Sequence, residues 1–158
     1  RVELDEDYVK VSSILREFYD VFEEEAQQKG ITFLHEDNVI HQYIICDGTK
    51  IREIMINLLS NAIKFSYNDS EILVNAEIEG DKVIVSVKDT GKGMSEEDQK
   101  KLLNTETHFS KYGTNNEEGS GLGLLLCQDF AVKNGGHLWF ESEEGKGSTF
   151  FFSVALKK

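Results

Sequence analysis

The chain has 158 residues, enough for one domain with a proper core and little room for a second. Hydrophobic residues make up 39% and charged residues 29%, a globular balance, and no apolar run approaches the roughly 20 residues that span a bilayer. The formal net charge of −12 repels polyanions, which argues against nucleic acid and against direct membrane contact.

Residues 8–11 read as a short strand, after which Ser12 or Ser13 is expected to cap a helix. Ile14, Leu15, Phe18, Val21, Phe22 and Ala26 give that helix an apolar face at three- and four-residue spacing, and Gly30 ends it. Residues 31–34 and 39–45 read as strands. Asp47 starts a second helix, whose core stripe is Ile51, Ile54, Met55, Leu58, Leu59, Ala62 and Ile63. Residues 71–79 and 82–89 form an antiparallel pair around Gly80-Asp81. Ser95 caps a short helix ending near Leu103. Residues 104–120 are polar and without period, and a loop of that length in a compact domain is usually functional. Residues 122–133 read as a helix that stops at Gly135-Gly136. Residues 137–142 and 148–156 close the chain as a hairpin around Gly145-Lys146-Gly147.

Strands arriving in adjacent pairs predict one mixed or antiparallel sheet with helices on one face, and argue against a parallel doubly wound sheet. Cys46 and Cys127 lie in apolar contexts, so buried thiols in a reducing compartment are expected. The chain opens on Arg1 and ends on Lys157-Lys158 after an apolar strand pattern. It is expected to be one domain, residues 1–158, cut from a longer protein.

Four local patterns carry chemistry. Opposite the core stripe of the second helix, Asn57, Asn61 and Lys64 fall in one line, either a solvated face or a polar binding row. Asp89-Thr90-Gly91-Lys92-Gly93-Met94 follows a strong strand. It is either a surface turn or a backbone that closes on a ligand, with a carboxylate placed to accept from an amine. Gly119-Ser120-Gly121-Leu122-Gly123-Leu124 opens a helix without following a strand, so it fails the context of a dinucleotide fingerprint. Its free N–H groups still suit phosphate. Gly145-Lys146-Gly147-Ser148-Thr149 is a hairpin turn, or a further part of the same site.

In this order and at these gaps, the four patterns resemble the asparagine box (57–66) and the three glycine boxes of sensor histidine kinases, whose ATP-binding superfamily includes gyrase, Hsp90 and MutL. The resemblance covers the chain from about Tyr8 to Leu156. It implies an α/β two-layer sandwich, with a mixed, mostly antiparallel sheet covered on one face by three main helices. It implies ATP and Mg2+ as cofactors, with Asn61 holding the metal through its amide oxygen. Asn57 supports the metal or phosphate site and Lys64 contacts phosphate. Phe65 packs on adenine or lid, and Asp89 accepts from the adenine amino group. Gly91, Gly93 and Met94 close on the nucleotide. Gly119, Ser120, Gly121, Leu122, Gly123 and Leu124 cradle the phosphates, and Thr149 reaches the adenine. Residues 104–120 become the ATP lid, its phenylalanine box reduced to Phe109. Lys111 is either its basic γ-phosphate contact or a solvated lysine.

Hydrolysing members of the superfamily usually carry a glutamate one turn before the magnesium asparagine. Here that position is Asn57, which cannot take a proton near neutral pH, and Glu53 lies a further turn back. A neutral histidine acceptor needs less activation, so the resemblance implies a histidine kinase, with Asn57, Asn61 and Lys64 at its catalytic centre. His35-Glu36 imitates the start of an acceptor box, but Asp37 and Asn38 follow without a proline. The acceptor is therefore expected on a histidine-bearing dimerisation domain of the same protein. A response regulator is expected downstream, and this domain is expected to be the cytoplasmic portion of a homodimeric parent, with or without a membrane anchor.

Overall fold

The computed structural model describes residues 7–37, 43–46, 48–103, 110–112, 118–120, 128, 130–133 and 135–155. In chain order the elements are β1 (Asp7–Lys10), α1 (Val11–Gln28), β2 (Thr32–Asp37), β3 (Tyr43–Cys46), α2 (Gly48–Phe65), β4 (Glu71–Glu79), β5 (Lys82–Asp89), α3 (Glu96–Leu103), β6 (Ser110–Tyr112), β7 (Glu118–Ser120), β8 (Leu138–Glu143) and β9 (Gly147–Ala155). Gln128 and residues 130–133 are also helical.

Period-two alternation builds the main sheet. Ile72, Val74 and Ala76 of β4 and Val83, Val85 and Val87 of β5 are buried, while the residues between them are half-buried or exposed. Five strands run in the order β2-β4-β5-β9-β8. β2 is parallel to β4 and the other pairs are antiparallel, so the sheet is mixed, as expected. Separate two-stranded ladders join β1 to β3 and β6 to β7.

The helices bury apolar stripes against that sheet face. α1 contributes Val11, Ile14, Leu15, Phe18, Phe22 and Ala26, and α2 contributes Ile51, Ile54, Met55, Leu58, Leu59, Ala62 and Ile63. Each large side chain so buried contributes roughly 1.5–3 kcal/mol. Val21, expected on the α1 stripe, is instead exposed, because it lies just past the arc that faces the sheet.

Several boundaries differ from the sequence reading. β1 runs straight into α1, so extended Lys10 takes the cap position and makes no side-chain cap bond; Ser12 and Ser13 lie inside the first turn. β2 extends to Asp37, held by its parallel ladder with β4. Asp47, the expected start of α2, and residues 38–42 lie outside the described residues. Within 104–120, β6 and β7 pair as a short ladder where no regular structure is expected. The α1 stop behaves as predicted: Gly30 is left-handed at φ 71°, and Ile31 N–H returns to the Ala26 carbonyl at 2.8 Å.

A buried lysine ties the two long helices together. Lys29 Nζ donates to the carbonyls of Ile63 (2.8 Å) and Lys64 (3.1 Å), the last turn of α2. A cation there also faces the negative end of the helix dipole. Among the described residues, no helix is long and apolar enough to cross a membrane.

Candidate functional site

The polar row lies on α2. Asn57, Asn61 and Lys64 are all half-buried along it, opposite the core stripe. Asn57 donates from its amide nitrogen back to the Glu53 carbonyl at 2.9 Å, and its amide oxygen is the acceptor end of the side chain.

Asp89 forms the floor. It is the last residue of β5, stands between Ile72 on β4 and Ser148 on β9, and is only 4% exposed. Its Oδ1 accepts from Gly91 N–H (2.9 Å) and Ser148 N–H (3.3 Å). Burial pushes its carboxyl up from 3.8 to about 6; the two backbone N–H groups oppose the rise and do not cancel it. A buried carboxyl held by its backbone neighbours is a natural acceptor for an amine donor.

The loop after Asp89 leans on the end of α2. Lys92 N–H donates to the Phe65 carbonyl (3.3 Å), and Lys92 Nζ lies 5.4 Å from the Phe65 ring centroid. Gly91 is required there, because a Cβ would collide with the Phe65 carbonyl oxygen. Gly93 is left-handed at φ 65°, and a Cβ on it would collide with the Glu143 carbonyl. Gly145 N–H reaches the Lys92 carbonyl at 2.7 Å, so the last hairpin turn is stitched to this loop. Two glycine patterns more than 50 residues apart therefore form one structure.

Chain comparison adds kinship to this geometry. Residues 46–158 match the model of the family described as histidine kinase-, DNA gyrase B-, and HSP90-like ATPase. The chain belongs to that family. Its kinase relatives include the aerobic respiration control sensor protein ArcB of Escherichia coli K12, 32% identical over 98% of this chain and 20% of ArcB. The present chain thus spans about a fifth of that relative's length. Among solved structures, the catalytic domain of histidine kinase ThkA superposes with a TM-score of 0.82 at 29% identity, covering 96% of both chains. Full-length ShkA in complex with AMPPNP gives 0.80 at 26% identity, over 99% of this chain and 32% of ShkA. The α/β architecture is that of a histidine kinase catalytic domain.

In this histidine kinase-type ATP-binding domain, the fold brings the expected residues of α2 beside the loop that follows β5. Asn57, Asn61, Lys64 and Phe65 share α2, and Phe65 touches the loop carrying Asp89, Gly91, Gly93 and Met94. Lys111 stands opposite Gly119, and Ser110 opposite Ser120, in the β6–β7 ladder. Phe109, Gly121, Leu122, Gly123 and Leu124 lie outside the described residues. Thr149 is not beside Asp89. It pairs with Lys88 and Glu141, one step along β9 from Ser148, and borders the same open groove of about 510 Å³ as Asp89 and Ser148. Ser148 takes the place beside Asp89, and a strand starting directly at Gly147 was the signal that could have shown it.

Proposed function

We propose that this chain binds Mg-ATP and passes the γ-phosphoryl group to a histidine on a separate dimerisation domain, in two-component signalling. The observation that carries this reading is Asp89: a buried carboxyl at the mouth of a glycine loop clasped by the end of α2. It would accept from the exocyclic amine of adenine, a contact that rejects bases lacking the amine.

The residues suit magnesium. Among the described residues, no group of three or more His, Cys, Asp or Glu could hold a metal ion alone. Magnesium commonly binds through one or two protein oxygens plus substrate phosphates and water, and amide oxygens on α2 are hard donors of that kind. Asn61 would hold it with Asn57 in support; when bound, it neutralises phosphate charge. Lys64 adds a point charge. Gly119, Ser120, Gly121, Leu122, Gly123 and Leu124 would receive the phosphates, with Lys111 as a basic contact. Catalysis is then positioning and electrostatics.

Asn57 favours a kinase over a hydrolase. Its amide nitrogen is committed to the Glu53 carbonyl, and an amide provides no base for water. We assign the chain to one cytoplasmic domain of a longer, homodimeric parent that hands its phosphoryl group to a response regulator. The test supplies a histidine-bearing dimerisation domain with this chain and γ-labelled ATP. Acid-labile label on the histidine is expected. Steady phosphate release without acceptor would instead indicate an ATPase, and tight nucleotide binding without transfer a sensing module.

A further inference from the structure

One hydroxyl joins three segments of this site. Ser142 on β8 lies directly across from Ser148 on β9, and Ser148 directly across from Asp89 on β5. Ser142 Oγ accepts from Met94 N–H at 2.9 Å, donates to the Gly147 carbonyl at 3.2 Å, and lies 2.7 Å from Ser148 Oγ. A hydroxyl has one proton and two lone pairs, so these three contacts use all of its capacity if Ser148 donates in the last. Gln99 on α3 closes the arrangement. Its Nε2 donates to the Met94 carbonyl (2.9 Å) and to the Ser142 carbonyl (3.1 Å). An amide NH2 has two protons, one for each.

We propose that Ser142, braced by Gln99, is a positioning residue that sets base selectivity by holding the glycine loop and the 144–147 turn in register around Asp89. It fixes Met94 at the end of the loop, and Gly147 and Ser148 at the return of the hairpin. Ser148 in turn offers its N–H to Asp89 Oδ1. With Ser142 cut to alanine, Met94 N–H and the Ser148 hydroxyl lose their shared partner, and the Asp89 carboxyl is aimed less sharply. This inference rests on the adenine-nucleotide reading above.

The test compares ADP with IDP, which lacks the exocyclic amine, by calorimetry on this chain. The unaltered chain prefers ADP. Ser142→Ala should cut the ADP-to-IDP affinity ratio by roughly tenfold, the scale of one mis-set charge-assisted hydrogen bond, while IDP affinity stays nearly unchanged. Ser142→Thr, which keeps the hydroxyl, should restore most of the ratio. Gln99→Leu should lower it in the same direction and serves if Ser142→Ala fails to fold. An unchanged ratio in both Ser142→Ala and Gln99→Leu overturns the proposal. So does an equal loss of ADP and IDP binding with a lower melting temperature, the mark of a merely structural role. No ADP preference in the unaltered chain would instead overturn the adenine reading itself, and this proposal with it.

Discussion

At the scale of the residue, Asp89 dominates. Asp89→Asn keeps the shape and removes the charge, so ADP affinity should fall at least about tenfold in a chain that still melts cooperatively; calorimetry with a thermal melt checks both. Its titration gives a further prediction. The folded chain releases this proton near pH 6 against 3.8 for the ordinary group, so folding holds the proton more tightly. The stability this provides is fully present below pH 3.8 and is lost as pH rises through about 6. Nucleotide-free Asp89→Asn should therefore be more stable than the unaltered chain at pH 7, by on the order of 2–3 kcal/mol, and that advantage should vanish near pH 4. Denaturant melts of the two chains at both pH values read the difference. Binding runs the opposite way, since only the carboxylate accepts well: ADP affinity should weaken from pH 7.5 to 5.5 in the unaltered chain and change less in Asp89→Asn. Asp89 was legible because a carboxylate ends a strong strand just before two glycines. Ser142 and Gln99 were not, because their partners lie on other elements and nothing in the local pattern marks a serine or glutamine as a joint.

At the scale of the element, α2 carries both a core stripe and a polar row, and its C-terminal end is fixed from outside. Lys29 Nζ binds the carbonyls of Ile63 and Lys64, directly before Phe65, whose carbonyl the glycine loop uses. Lys29→Met leaves those carbonyls without their cation, and a loss of about 1–3 kcal/mol in urea unfolding is expected. Gly91→Ala should cost at least as much, since its Cβ meets backbone at Phe65 that cannot swing aside. Helix and strand identities were readable from three-four and two-residue periods. Ends were harder. The α1 start moved to Val11 because β1 feeds it without a break, and serine chemistry in its first turn had no role as a cap. The place of Thr149 turns on a related point: an extended β9 pairs Ser148 with Asp89 and Thr149 with Lys88, and all four border one groove.

At the scale of the whole molecule, the fold brings segments distant in sequence to one end of one sheet. Strand order β2-β4-β5-β9-β8 places the end of β5 beside the start of β9, which is why the first and third glycine patterns meet. Strand pairing in the sequence anticipated a mixed sheet with helices on one face, yet it could not give the strand order, which depends on long-range registers. The second glycine pattern was equally visible in sequence, and its residues 121–124 lie outside the described residues. Together, we propose, these segments form a magnesium-dependent adenine nucleotide site. Calorimetric titration of this chain with ADP, with magnesium and then with chelator, tests it most directly. Saturable one-to-one binding that tightens several-fold with magnesium is expected, an increment that Asn61→Ala removes. Absence of binding at millimolar ADP, or equal affinity with and without magnesium, would contradict it.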